Sequence, residues 1–521
     1  MTTMEELEAK ISEMQSGTNT LYLLICGLFV LFMQAGFAFL EAGSVRAKNT
    51  TNIILKNVVD VWMAALTYWA VGYSFAYGEP GNGFIGHNYF FGSNLQQNFD
   101  GVNTTYGDVG TADHYYVSWF FQFVFTATAS TIVSGAMAER TEFKAYLGYC
   151  FFLTAFVYPV VSHWGWSSSG WLANGPNGLV FKDFAGSAIV HITGGTAAFC
   201  GAVLLGPRIG RFDENGRPND IPGHTVPITA LGAFILFVGF LAFNGGSLLT
   251  ITGPGDGAKV ALVFMNTIIG GSSSAIIALL AYKLWNRVRG KENFWSLLIT
   301  INAGLAGMVA MCAGCNDIYP WAACVIGSVA GMAFLSWHHL MLKMQVDDPL
   351  DAVAVHFGGG MTGIILAPIF AINGQEYEGV AVGGIIYGAH WKAFQGFGWN
   401  LLGALVITFW TAMFSLILFG IMRLIGILRV DRDIEIQGLD VAKHNEPAYP
   451  VISYEGFLPG SEILKHEEEI DLKKTEKKLR SELKRIQSEK YKITKQAHQS
   501  VSDRSDVEQG VRNNGYTTEG V

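Results

Sequence analysis

The chain runs to 521 residues with 50% hydrophobic residues, only 15% charged residues and a formal net charge of −8 at pH 7. A soluble globular protein carries roughly 25% charged residues, so this composition excludes an ordinary soluble domain, and no basic surface offers itself to nucleic acid. The charges crowd into residues 461–500 and are sparse over long blocks between 20 and 428, so the net value averages unlike regions.

In chain order, residues 1–19 open with an acidic stretch, Met1 to Lys10, that lacks the positive flank of a cleavable signal; they are expected as an extracellular N-terminus. Apolar runs of about 20 residues, the length that spans a bilayer, then predict an all-α integral membrane protein of eleven transmembrane helices. They lie near 20–42, 57–78, 115–138, 143–164, 187–207, 225–247, 259–283, 293–313, 319–342, 353–372 and 399–427. Loops after odd-numbered spans hold the basic residues, among them Arg46, Arg140, Arg208, Arg211, Arg287 and Arg429. Loops after even-numbered spans hold almost none. The bias of Lys and Arg toward the cytoplasm puts the N-terminus outside and the C-terminus inside. Asn103-Thr104-Thr105 is then an extracellular glycosylation acceptor tripeptide, whereas Asn49-Thr50-Thr51 falls inside and is silent.

The membrane domain is expected over 20–430, followed by an ordered cytoplasmic segment, 431–460, that packs on the inner face. Residues 461–521 read as a charged helix and a disordered cytoplasmic tail. Leu472, Leu479, Ile486 and Ile493 recur every seven residues, but Glu476 and Lys490 occupy intervening core positions, which favours a solvated helix over a coiled coil. Of the cysteines, only Cys312 and Cys315 form a close pair, with no second pair to complete a zinc site; they read as small apolar filler. No cofactor or metal is expected.

Two segments echo each other. Asp183 is followed by seven residues, then His191 and a glycine pair; Asp348 is followed by seven residues, then His356 and a glycine run. Five helices per unit is an odd number, so spans 1–5 and 6–10 face opposite ways as an inverted repeat, with a long eleventh helix added. Asp183 then lies near the outer end of its helix, and Asp348 and Asp351 near the inner end of theirs. Eight helical residues carry each histidine ~12 Å inward, close to the midplane of a ~30 Å hydrocarbon layer. Ionisable groups at that depth are functional candidates. A histidine pair offers donors and acceptors that exchange roles, so it can hold a small hydrogen-bonding solute or relay a proton. Stripping water from a bare cation costs tens of kcal/mol. A cation that sheds its proton avoids most of that cost, and ammonium, which becomes ammonia, fits.

The stretch DFAGSAIVHITGGTAAFCGAVLLGPR (183–208) resembles the signature of the ammonium transporter (Amt/Mep/Rh) family. The resemblance covers roughly 20–455 and extends to FLEAGSVRAKN (39–49), GAMAER (135–140), AFNGGS (242–247), VDDPLDAVAVHFGGG (346–360) and DRDIEIQGLD (431–440). It implies that His191 and His356 are twin pore histidines. Phe121, Phe125 and Phe243 would form the aromatic gate. Trp166, Ser247 and Phe125 would recruit ammonium or methylammonium from outside, and Asp183 and Asp351 would be supporting carboxylates. It further implies a plasma-membrane homotrimer with one pore per subunit, and the retained Trp166 and Ser247 favour the Amt branch. The alternatives are an ammonium sensor that signals to a regulatory partner through its tail, and a Rhesus-like ammonia gas channel. A membrane-embedded hydrolase is disfavoured by the lack of a nucleophile motif, so no enzyme is expected.

Overall fold

The computed structural model describes residues 3–93, 112–290, 294–450, 475–476, 478–490 and 493. Asn103 and Leu472 lie outside the described residues. Helix α1 (Met4–Ser44) starts at a reciprocal cap: Thr3 Oγ1 accepts from the Glu6 N–H at 3.2 Å, and Glu6 Oε2 accepts from the Thr3 N–H at 3.0 Å. The helix runs without a break from Met4 through the first expected span, 20–42, to Ser44.

After α1 come α2 (Ala47–Tyr77), α3 (Ala112–Ala136), α4 (Phe143–Trp166), α5 (Ser187–Leu205), α6 (Val226–Gly246) and α7 (Asp256–Val288). Helix α8 (Leu297–Met311) has only 15 residues. It is followed by α9 (Pro320–Lys343), α10 (Val353–Phe370) and α11 (Trp391–Leu424). Ten of these, all but α8, are long and apolar enough to cross a membrane. The expected span at 293–313 is shorter as a helix because Ser296 caps its start and the chain turns after Met311. A small antiparallel hairpin, β1 (Gln375–Tyr377) with β2 (Val380–Val382), connects α10 to α11 and is the only sheet among the described residues.

Large apolar side chains face outward, including Trp62 at 65%, Phe234 at 66% and Phe409 at 69% exposure. A soluble surface does not carry so many, and the fold is that of an integral membrane protein. Inside, α1 packs most extensively on α6, and α7 lies against both α8 and α9. Helices α5 and α10 touch each other at the centre, and their facing residues are buried. Both begin with a wide π turn, over Ser187–Ile192 and Val353–Gly358.

At one end of the bundle the loops knit into a buried ionic cage. Arg208 reaches Asp347 at 2.8 Å and Glu139 at 3.4 Å, Arg46 reaches Glu139 at 2.6 Å, and Arg211 reaches Asp347 at 3.3 Å. Arg140 donates to the carbonyls of Ala136, Ala138, Gly206 and Asp347. Burial alone would raise the Asp347 carboxyl, but Arg140 and Arg208 outweigh it and hold it down at about 2. Helix α12 (Arg432–Gln437) joins this end through Glu435, 2.9 Å from Arg429. Asp440 accepts from the N–H groups of Thr51 at 3.1 Å and Asn52 at 2.8 Å.

Residues 449–521 form a separate unit. Its described residues 475–476 and 478–490 are helical and exposed, with i,i+4 ion pairs from Arg480 to Glu476 and from Arg485 to Glu489.

Candidate functional site

The chain enters α5 without helix at 183–186, where Gly186 adopts a positive φ of 103°. A side chain there would meet Val190 at 2.6 Å and Trp166 at 3.1 Å, so the turn requires glycine. This turn lets Asp183 Oδ2 reach ahead and accept from the N–H groups of Ala188 and Ile189, each at 2.9 Å. Asp348 does the same for α10, accepting from the Val353 N–H at 2.8 Å. The helices open at Ser187 and Val353, where the apolar runs predict, so each aspartate lies before its helix rather than within it. A π turn adds a residue to the turn and rotates the residues beyond it by about 100°, so neither histidine is delivered by eight regular α-helical residues. Burial pushes both the Asp183 and Asp348 carboxyls up to about 7, against the backbone donors that lower them. The Oδ1 atom of each is buried and meets no donor among the described residues.

His191 and His356 lie at the last turn of these two π segments and face each other. Their Nδ1 atoms are 3.1 Å apart, and the rings are stacked at 5.2 Å with 13° between planes. Exposure is 0% and 6%. A hydrogen bond between two Nδ1 atoms needs one donor and one acceptor, so the pair holds a single N–H between them. The approach rests on glycine: a side chain at Gly195 would come within 2.5 Å of the Phe357 nitrogen, and one at Gly360 would run into the Ser187 carbonyl.

On one side of the pair stands an aromatic column. The His191 ring centroid is 5.6 Å from Phe243 and 5.8 Å from Phe240. Phe243 stacks on Phe125 at 4.1 Å, and Phe125 touches Phe121 at 4.8 Å and Trp166 edge-on at 5.9 Å. Trp166 is fixed by donating its Nε1–H to the Asp183 carbonyl at 2.8 Å. Ser247, at the end of α6, donates to the Phe243 carbonyl at 2.9 Å. On the other side of the pair, Phe37 lies 6.4 Å from His356 and lines an apolar cavity.

These contacts bring His191, His356, Phe121, Phe125, Phe243, Trp166 and Asp183 into one connected column, with Ser247 attached through Phe243. Asp351 stands apart from it. Its φ of +57° turns it toward His338, whose Nδ1 is 2.7 Å from Asp351 Oδ1, and toward Asn302. Asp348, the residue aligned with Asp183 in the repeat, takes the capping position instead. Two neighbours escaped the sequence reading. Cys312 Sγ lies 3.7 Å from His191 Nε2; it follows α8, far along the chain, and its pairing with Cys315 gave no hint of this contact. Glu41 stands in the FLEAGSVRAKN block, and an acidic residue inside an apolar span was a signal. Among the described residues no group of three or more His, Cys, Asp or Glu side chains could hold a metal ion. The column can strip water from a small solute, present ring faces to a cation, and offer one exchangeable N–H.

The sequence profile of the Ammonium Transporter Family matches residues 21–449. Putative ammonium transporter 1 of Caenorhabditis elegans is 45% identical over 472 residues, covering 87% of this chain and 83% of the relative. Ammonium transporter 1 member 3 of Solanum lycopersicum is 37% identical over 450 residues, covering 83% and 93%. Among solved structures, one described as a sensor Amt protein superposes with a TM-score of 0.72 at 32% identity, covering 83% of this chain and 99% of that one. Mep2 of Saccharomyces cerevisiae shares the fold, with a TM-score of 0.65 at 23% identity over 80% of this chain and 88% of its own.

Proposed function

Starting from a chain that belongs to the ammonium transporter family, and so from a membrane transport protein rather than an enzyme, we propose that it recruits ammonium at Trp166, Ser247 and Phe125 and conducts it as ammonia past His191 and His356. Ammonium rests on aromatic faces, where a cation is attracted without full hydration. It gives up its proton near Asp183 and the histidines. Phe125 and Phe243, between Trp166 and the histidines, exclude hydrated ions, and ammonia is handed along the imidazoles as donor and acceptor. The observation that carries this reading is the buried Nδ1–Nδ1 contact of 3.1 Å at the foot of the aromatic column. A pair of ring nitrogens there suits a neutral hydrogen-bonding solute; a permanent charge would suffer the full desolvation cost.

We further propose eleven spans, with α8 as the short one, arranged as an inverted repeat with the N-terminus outside. The paired aspartate caps and paired π turns of α5 and α10 support that symmetry. The assembly is a homotrimer in the plasma membrane, with methylammonium as a second substrate.

The test is uptake by purified protein in liposomes. His191→Ala and His356→Ala each lower ammonium flux about tenfold or more, the scale of one lost hydrogen bond in the path. Wild-type flux and selectivity in both variants would overturn the reading.

A further inference from the structure

Below His356 the apolar cavity has a volume of about 20 Å³, measured for the centre of a water-sized molecule, and is lined by Phe37, Leu305, Val355, Asn302 and, at its wall, Glu41. That is room for a water or an ammonia. Gly135 leaves this wall open: a side chain there would lie 3.6 Å from Glu41 Oε1 and 3.3 Å from Leu350. Glu41 is 2% exposed, and nothing in the proposed mechanism uses it.

Its hydrogen-bond shell suits a group that gains and loses a proton. Asn57 Nδ2–H donates to Oε2 at 2.7 Å. Ser134 Oγ contacts Oε1 and also lies 2.8 Å from the Thr131 carbonyl. A hydroxyl has one hydrogen. When Ser134 gives it to Glu41, the carboxylate is served; when Ser134 gives it to Thr131, the same contact is filled by a carboxyl O–H donating to Ser134. Both protonation states are satisfied without moving a side chain. The other ionisable groups whose charge reaches Glu41 are Asp60 and Lys56 on α2. Across the cavity, Asn302 separates it from the Asp351–His338 pair.

We propose that Glu41 is the proton-exchanging residue that returns ammonia to ammonium after it has passed His356. The Glu41 O–H bond breaks as an N–H bond forms on ammonia, and ammonium leaves a carboxylate behind. The proton that ammonium shed on entry is relayed along the His191–His356 hydrogen bond, one N–H breaking as the next forms, crosses the cavity and restores the carboxyl. One ammonia and one proton are moved per cycle, so transport carries charge. This step rests on the ammonia conduction proposed above.

The experiment compares wild type, Glu41→Gln and Glu41→Asp in liposomes. It records ammonium current and, separately, the internal alkalinisation that neutral ammonia causes. Gln keeps the shape and an acceptor for Asn57 but cannot exchange a proton. The expected result is a current reduced about tenfold together with an internal alkalinisation larger than that of wild type, because ammonia now arrives without its proton, and partial recovery of current in Glu41→Asp. Should Glu41→Gln fold poorly, Ser134→Ala keeps the carboxyl and shifts the pH of half-maximal current. An unshifted profile there, wild-type current in Glu41→Gln, or a loss of current in Glu41→Gln with no gain in alkalinisation overturns the proposal. Wild-type uptake without current overturns it while leaving ammonia conduction standing; wild type that moves neither removes both.

Discussion

An aspartate that caps a wide turn must satisfy amides five residues ahead while its second oxygen stays dry. For Asp348 the result is a carboxyl that burial, with the charge of Asp351 adding, pushes up to about 7, against about 3.9 in an unfolded chain. The folded state therefore prefers the protonated form. Its stabilising contribution is complete below pH ~4 and disappears as pH rises through about 7. Asparagine keeps the carbonyl that accepts from Val353 and never ionises. Asp348→Asn should melt at a higher temperature than wild type at pH 8 and at the same temperature at pH 3, a difference of the order of 1–4 kcal/mol. Thermal unfolding in detergent measures it, and equal shifts at both pH values would refute it. Asp347, held down at about 2, behaves oppositely: its contribution is present above pH ~4 and is lost only as pH falls through about 2. At this scale the sequence was readable where an ionisable residue interrupts an apolar run, as at His191 and His356. It aligned Asp348 with Asp183 yet gave the supporting role to Asp351, because only the backbone turn at Asp351 separates them.

Helices α5 and α10 owe their working geometry to features with no apolar signature. Hydropathy marks both segments as spans, but the same residues would read alike with a 3.6-residue or a π turn; the wider turn arises because Asp183 and Asp348 bind amides further ahead than an ordinary cap does. Composition likewise hid the length of α1, whose polar first turns are held by the Thr3–Glu6 cap. Crossing distance is the second element-level property. Gly360→Ala would push a methyl into the Ser187 carbonyl and within 3.0 Å of Ile192. The helices must separate at the histidines, at a cost of ~1–3 kcal/mol. The variant should melt earlier and lose ammonium flux several-fold, whereas Gly398→Ala on α11, where a side chain meets nothing within 4 Å, changes neither. Matching behaviour in the two variants would refute the crossing argument.

Across the whole molecule, residues 431–448 are tied to the start of α2. Asp440 supplies acceptors to the free N–H groups of Thr51 and Asn52, and Asn49 Oδ1 accepts from the Leu439 N–H at 3.0 Å. This is helix capping performed by a distant segment, worth ~1–2 kcal/mol. Asp440→Ala should expose 431–448 to limited proteolysis about tenfold faster than wild type. Unchanged cleavage would show that α12 and the Glu435–Arg429 pair hold the segment alone. Composition alone sets 431–460 apart from the charged tail, but nothing in it hints that Asp440 reaches back 389 positions to Thr51.

The arginines whose one-sided placement would orient the chain during insertion, Arg46, Arg140, Arg208 and Arg211, end up locked in the ionic cage rather than facing lipid headgroups. With the proposed orientation, the same cations would serve as topological signal while the chain is being threaded; in the fold they are its mortar. Removing Arg208 confounds misinsertion with loosening. A lysine in its place keeps the positive charge but gives up the forked grip on Asp347, and so separates a signal from a bond.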